Sequence, residues 1–268
     1  MEQHNTLILD GHTVHYRDEG RHHTQTIVLL HGFMQNMDVW APYVLSYMSR
    51  MRVVTVDLPG HGLTANFGSV HSMELMADVV KAVLDRTGVE QCVVAGHSMG
   101  GFAALAFAER YPHMTRGLVL VNSHAMSDTP DILARREAVC VEAAERRQSY
   151  ILNYVPTLFD DKRRVVLERE IKELNDMCLD TQAEAIAAAQ RGMAQRPSRV
   201  GLLQQIDVPV CFVLGKNDLR LPIELGLAQT LLPRRSECMI LGDVGHMAFI
   251  EAMGYVRPRL LAFAEACW

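Results

Sequence analysis

Cys92-Val93-Val94-Ala95-Gly96-His97-Ser98-Met99-Gly100-Gly101-Phe102 is the stretch whose reading decides the fold of this chain. Its opening run of small and β-branched apolar residues reads as a strand covered on both faces. Phe102, Ala103, Ala104, Leu105 and Phe107 then read as a nearly all-apolar helix that breaks at Tyr111-Pro112. Between them Gly96-His97-Ser98-Met99-Gly100 fits G-x-S-x-G. A serine flanked by glycines at a strand-to-helix junction sits on a sharp, strained turn that holds its hydroxyl out at the end of the strand. The first amides of the helix point at the same spot, so the Met99 N–H can stabilise a negative oxygen there. Ser98 is therefore the candidate nucleophile.

Working outward, Leu7 to Gly11 and Val14 to Arg17 read as a hairpin. Thr26 to Leu30, Val53 to Val56 and Gly117 to Val121 read as further buried strands, with amphipathic helices between them. One helix carries Leu75, Met76, Val79, Val80, Val83 and Leu84 and stops at Gly88. The pattern breaks off near Asn122 and resumes with Val208 to Leu214, a helix around Ile223 to Leu232, the strand Cys238 to Leu241, and a last helix ending near Trp268. Apolar strands alternating with helices predict an α/β fold with a mostly parallel sheet. The interval between these parts contains no strand-like run. Ile132 to Ala144, Val165 to Leu179 and Ala183 to Met193 read as helices, which suggests a cap over the strand ends. The expected organisation is an α/β core in residues 1–122 and 205–268, with an all-helical insertion in 123–204.

A neutral serine needs a positioned base, and that base needs a carboxylate to hold its tautomer. His246, in Gly242-Asp243-Val244-Gly245-His246, follows the last strand and is the candidate base. Asp218, at the end of Gly215-Lys216-Asn217-Asp218, directly follows the strand Val210 to Leu214 and would share the edge that carries Ser98. Asp207 precedes that strand and would lie at the opposite end; Asp128 and Asp243 are lesser candidates. A second oxyanion donor is expected from the loop after Leu30, and the Phe33 N–H is the candidate. His31 reads as a structural group of that loop. Asp57 to Gly62 reads as a tight turn, with His61 near the pocket rim. Met34, Tyr154 and Met247 are the candidate substrate-binding residues. Met34, Met37, Met99 and Met247 lie close in sequence to site elements, which suggests an adaptable apolar pocket for acyl groups of modest size.

Bulk properties exclude other classes. The chain has 268 residues, a formal net charge of −5, and short Arg-Arg pairs interleaved with acids. No concentrated basic face suggests a nucleic-acid partner. Met1 to Asn5 lack the features of a signal peptide, and no apolar run approaches the length of a membrane span. The six cysteines are scattered without a C-x-x-C pair, as expected of reduced thiols in a cytoplasmic protein. None of the twelve histidines forms a metal-binding pair, and neither metal nor cofactor is expected. The expected partner is a small-molecule acyl substrate; nothing in the sequence sets the oligomeric state.

His31-Gly32-Phe33, Asp57-Leu58-Pro59-Gly60-His61-Gly62, Gly96-His97-Ser98-Met99-Gly100-Gly101, Gly215-Lys216-Asn217-Asp218 before Pro222, and Asp243-Val244-Gly245-His246 occur in the order that resembles the α/β-hydrolase fold family. Within the insertion only Arg191 to Pro197 resembles small esterase-like members. The resemblance implies an eight-stranded sheet, a triad of Ser98, Asp218 and His246, and an oxyanion hole from the Phe33 and Met99 amides. The nucleophile is serine, unlike the aspartate of haloalkane dehalogenases and epoxide hydrolases. No G-P-G segment follows His31-Gly32 as in many carbon–carbon bond hydrolases, and no H-G-G-G motif is present. Hydrolysis of a small carboxylic ester is the leading expectation. Perhydrolase, thioesterase, lactonase or carbon–carbon hydrolase chemistry on the same triad is the alternative, with cap residues such as Met126, Tyr150, Tyr154, Leu158, Phe159 and Met193 deciding. A non-catalytic ligand receptor is the third.

Overall fold

The computed structural model describes residues 5–268; the signal-peptide reading at residues 1–4 lies outside the described residues. Asn5–Leu9 (β1) and His12–Glu19 (β2) form the expected hairpin. Thr26–Leu30 (β3) follows, then a short 3-10 turn and Ala41–Tyr47 (α1), then Arg52–Val56 (β4). Met73–Thr87 (α2) begins at Ser72, whose side chain accepts from the Leu75 N–H at 3.1 Å, and ends at Gly88 in the left-handed region. Its apolar positions are buried, Leu75 only in part, as the 3.6-residue period requires of one face. Cys92–His97 (β5), Met99–Arg110 (α3) and Thr115–Val121 (β6) complete the first part.

Between β6 and the next strand the chain is helical. Pro130–Tyr154 (α4) is kinked at Arg146, whose backbone leaves helical geometry. Glu168–Leu179 (α5), Ala183–Gln195 (α6) and Val200–Gln205 (α7) follow. The kink explains why the apolar spacing beginning at Ile132 stopped at Ala144: the second half of α4 presents a different face. The helix expected from Val165 starts instead at Glu168, because Val165 and Val166 are exposed and belong to no buried stripe. Val200–Gln205 was not anticipated as a helix. Val210–Gly215 (β7), Ile223–Thr230 (α8), Ser236–Leu241 (β8), Ala248–Glu251 (α9) and Met253–Ala266 (α10) end the chain.

The strands form one eight-stranded sheet in the order β1-β2-β4-β3-β5-β6-β7-β8. β1, β2 and β4 pair antiparallel in turn, and all other pairs are parallel. β3 and β5 are buried along their whole length, which is why they read as unbroken apolar runs. Fully burying one such valine or leucine contributes about 1.5–3 kcal/mol. Helices flank the sheet: Tyr43 and Tyr47 of α1 donate their hydroxyls to the carbonyls of Phe249 and Arg257, tying α1 to α9 and α10. The helical insertion is docked as a cap through backbone contacts. His71 N–H donates to Ala188 O at 2.9 Å and His246 N–H to Leu158 O at 2.7 Å; within the insertion, Arg199 N–H donates to Ala125 O at 2.6 Å and joins its two ends.

The parallel strands all end at one edge, and the chain order reverses direction between β3 and β5. Loops that leave a sheet at such a switch diverge and open a crevice there. Ser98, Asn122, Asp218, His246 and Phe33 follow β5, β6, β7, β8 and β3 respectively, so all stand on that edge. No described helix is long and apolar enough to cross a membrane. None of the six cysteines is in a disulfide; Cys92 and Cys211 are fully buried strand residues.

Candidate active site

Ser98 has φ 51° and ψ −114°, a strained backbone that only its surroundings hold in place. The neighbouring glycines are required by space. A Cβ on Gly96 would lie 2.1 Å from Gly100 O, and one on Gly100 would lie 2.5 Å from both Leu30 O and His31 O. Ser123 Oγ donates to Ser98 O at 2.8 Å and fastens the turn to β6. The result is a partly exposed hydroxyl at the mouth of the crevice.

His246 Nε2 lies 2.9 Å from Ser98 Oγ, and His246 Nδ1–H donates to Asp218 Oδ2 at 2.8 Å. Asp218 is buried. Burial alone would raise its carboxyl, but His246 and the donors from Arg220 N–H and Asn122 Nδ2 outweigh it and hold the group below the ordinary carboxylate range. Oδ1 accepts from the Arg220 and Leu221 amides at 2.7 and 3.0 Å, so both oxygens are committed and the carboxylate cannot turn. The other acids considered from sequence take no part in this hydrogen-bonded chain. Asp207 pairs with Arg234 and Asp243 with Lys162, both on the surface, while Asp128 pairs with two arginines in the cap.

Among the described residues, neither the Phe33 nor the Met99 N–H donates to a protein acceptor. Met99 is the first residue of α3, where amides have no intrahelical partner. Leu30 pairs with Gly96 in the ladder, which brings the Phe33 loop alongside the Ser98 turn. His31 fixes that loop. Its Nδ1–H donates to Gly32 O at 2.8 Å while Nε2 accepts from the Leu58 N–H at 2.9 Å. That pairing requires the neutral ring, in agreement with burial holding its pKa down. His61 is fully buried against Pro59 O and does not line the crevice.

A cavity of about 340 Å³ opens over Ser98 and His246. Phe33, Phe102, Met126, Tyr150, Tyr154 and Met193 supply its apolar wall. Of the three candidate substrate-binding residues, Tyr154 lines the cavity, with its ring edge-on to Phe33. Met34 and Met247 do not, and their assignment is corrected. Both are fully buried and absent from the cavity wall. Met34 has φ 62°, and its carbonyl accepts from Thr181 Oγ1. Met247 precedes α9, and its sulfur accepts from Gln35 Nε2 at 3.7 Å. Closeness in sequence to a site element does not fix the direction of a side chain, and the methionines that do reach the cavity come from the insertion. The idea of an apolar methionine pocket built by the core loops loses its basis with them.

Three residues of the site had no signal in the sequence. Asn122, buried with φ 46°, donates from Nδ2 to Asp218 Oδ2 at 2.9 Å and to Gly245 O at 3.1 Å. Its Oδ1 accepts from the Ala248 N–H at 3.3 Å, so one side chain joins the loops carrying Asp218 and His246. Glu251 is buried behind the His246 loop and accepts from the amides of Gly245, Met247 and Asp160 at 2.9, 3.1 and 2.9 Å. His97, held neutral by burial with its pKa pushed down to about 3, donates from Nε2 to His246 O at 2.9 Å. They share no local feature: Asn122 follows β6, His97 ends β5 and Glu251 ends α9.

Comparison with known proteins agrees with this architecture. Residues 25–139 match the family model of the alpha/beta hydrolase fold; that span holds Phe33 and Ser98, and Asp218 and His246 follow it. The chain is 30% identical over 232 residues to a pimeloyl-[acyl-carrier protein] methyl ester esterase of Sodalis glossinidius, covering 84% of this chain and 88% of that one. It is 27% identical to a 2-hydroxy-6-oxononadienedioate/2-hydroxy-6-oxononatrienedioate hydrolase of Paraburkholderia phymatum, covering 96% and 93%. Among solved structures, a thermophilic esterase from Thermogutta terrifontis superposes with a TM-score of 0.91 at 26% identity, covering 99% of both chains. The chain belongs to the α/β-hydrolase fold family and is a hydrolase.

Proposed function

We propose that this hydrolase cleaves a small carboxylic ester through an acyl-enzyme on Ser98. The observation that carries the reading is the unbroken relay from Ser98 Oγ through His246 to Asp218, at 2.9 and 2.8 Å, opening into the cavity. In the first half-reaction Ser98 Oγ attacks the acyl carbon and its proton passes to His246 Nε2. The carbonyl oxygen takes the negative charge and is met by the Phe33 and Met99 amides. The C–O bond to the alcohol then breaks, and His246 returns the proton to the leaving oxygen. In the second half water attacks the acyl carbon, His246 takes its proton, and collapse releases the acid and restores the Ser98 hydroxyl. Asp218 keeps the Nδ1 proton in place and stabilises the imidazolium; it does not take the proton. Removing one oxyanion donor typically costs 10²–10³ in rate.

The division into a core of residues 1–122 and 205–268 and a cap of 123–204 belongs to this reading, the cap choosing the substrate. A reducing, cytoplasmic setting is in keeping with six free cysteines. A second reading, hydrolysis of a carbon–carbon bond by the same triad, is favoured by the relative from Paraburkholderia phymatum, which matches nearly the whole chain. The test is labelling by a fluorophosphonate and release of chromophore from para-nitrophenyl esters. Wild-type protein is expected to react at Ser98 and turn the esters over, and Ser98→Ala to do neither. Ester turnover that survives Ser98→Ala overturns the acyl-enzyme. Labelling of Ser98 with no turnover of esters, but cleavage of a vinylogous keto acid, selects the second reading.

A further inference from the structure

The protein carries a net charge of −5, yet its cavity has the opposite sign. Arg135, Arg136 and Arg220 line it, and Asp128 is the one carboxylate in its wall among the described residues. Asp128 is already shared. Arg136 Nε donates to Oδ2 at 2.5 Å, and Arg196 Nη2 lies 2.7 Å from Oδ1. Burial would raise the Asp128 carboxyl, but the two guanidinium groups hold it below the ordinary range, so it is ionised. Two arginines on one carboxylate leave a surplus positive charge in a half-buried place.

Arg136 is aimed as well as charged. Its Nη1 donates to Gln190 Oε1 at 2.8 Å, and Asp128 grips the opposite side of the fork. Arg196 backs Asp128, with its own guanidinium 4.0 Å from the Phe102 ring centroid. The guanidinium of Arg136 is therefore held between an acceptor in the segment before α4 and one on α6. Arg220 lies over the Tyr154 ring at 4.6 Å and donates to Thr157 Oγ1, a neutral partner. No carboxylate is paired with Arg135 or Arg220 among the described residues. A fixed, partly dry guanidinium whose charge the protein does not balance is costly unless a ligand anion meets it, and its planar fork suits a carboxylate.

Resting on the ester-hydrolase reading, we propose that the substrate is an anionic ester with a carboxylate remote from the scissile bond, and that Arg136 is the residue that recognises it. Asp128 and Gln190 act as positioning residues, and Arg135 and Arg220 add long-range attraction at the mouth.

The test compares charged and neutral esters of equal carbon chain on the intact enzyme. One pair is mono-para-nitrophenyl glutarate against para-nitrophenyl pentanoate, with the charge on the acyl side. The other is para-butanoyloxybenzoate against its neutral methyl analogue, with the charge on the alcohol side. In at least one pair the anionic member should have a kcat/KM about tenfold or more above the neutral one, as expected for a charge-assisted hydrogen bond, and the pair that shows it identifies the side. The preference should shrink at about 1 M salt, where exposed charges are screened within about 3 Å. It should fall about tenfold in Arg136→Gln, mainly through KM, and return in part in Arg136→Lys. Equal or better turnover of both neutral esters overturns the proposal, as does a preference indifferent to Arg136→Gln. Should Arg136→Gln not fold, the salt dependence of the unaltered enzyme and the Arg220→Gln variant decide in the same directions. Ester turnover with Ser98 labelling but no anionic preference defeats this inference alone; absence of Ser98 labelling defeats the ester-hydrolase reading beneath it.

Discussion

Gly192 lies inside α6, where glycine is about 1 kcal/mol less favourable than alanine on helix propensity. Local reasoning says that Gly192→Ala stabilises the protein; the packing reverses the sign. A Cβ at this position would lie 1.7 Å from the carbonyl oxygen of His71, 2.3 Å from its carbon and 3.0 Å from Ser72 N. All three are backbone atoms, so no side-chain rotation relieves the clash. The same segment is pinned to the same helix by the His71 N–H bond to Ala188 O at 2.9 Å, and Ser72 is the cap of α2. Side-chain carbons do not approach backbone closer than 3.0 Å, so α6 has to retreat by about 1 Å or more. Overpacking of this kind costs about 1–3 kcal/mol, and the weakened His71–Ala188 bond adds about 1 kcal/mol. Set against the helix gain, the variant should be less stable by about 1–3 kcal/mol. A chain of this size loses about 2–4 °C of Tm per kcal/mol. Urea unfolding and thermal melts of wild type, Gly192→Ala and Gly201→Ala test this. Gly201, in α7, has nothing within 4 Å of its notional Cβ, so alanine there should be neutral or stabilising by up to about 1 kcal/mol. A Gly192→Ala protein as stable as wild type, or indistinguishable from Gly201→Ala, would refute the reasoning. Gln190 and Met193 flank Gly192 and line the cavity, so KM should also move in Gly192→Ala and stay put in Gly201→Ala.

Asn122→Ala removes the side chain that joins the loops of Asp218 and His246 and leaves a non-glycine residue at φ 46°. It should lower stability by about 2–3 kcal/mol in urea unfolding and reduce kcat more than KM; an unchanged kcat would show that Asp218 is held well enough by the Arg220 and Leu221 amides. Histidines held neutral by burial set the acid response, His31 among them. Burial pushes the pKa down to about 3 for His61 and His97 and to about 4 for His71 and His124. The unfolded chain then binds more protons than the folded one between pH about 6.5 and about 4, so stability rises with pH across that window. On acidification each histidine removes up to about 1.4 kcal/mol per pH unit. Below that window Asp57, Asp128 and Asp218, whose carboxyls are held low, contribute stability that is lost as pH falls through their folded values. The urea midpoint should fall steadily as pH drops from about 6.5 to about 4; a midpoint unchanged down to pH about 4.5 would contradict the neutral burial of these rings.

Strands buried on both faces announce themselves as contiguous apolar runs, and Cys92 to Ala95 or Thr26 to Leu30 need no partner to be recognised. Because the strands are parallel, each residue just past a run stands on one edge. That is why Ser98, Asp218 and His246 could be grouped from their positions alone, and why Asp207, on the wrong side of its strand, could be set aside. The sheet order, with β3 beside β5 and the crevice between them, is a property of pairing across the sheet that no local window contains. Side-chain direction is equally nonlocal: Met34 and Met247 are near site residues in sequence and point into the core. Asn122, Glu251 and the Asp128–Arg136–Arg196 cluster work through contacts spanning tens of residues. The turn at Ser98 was thus legible locally, as G-x-S-x-G between an apolar strand and an apolar helix. The sign and shape of the cavity above it were decided only when the cap folded back over the strand ends, because a charge surplus exists only where distant residues are brought together.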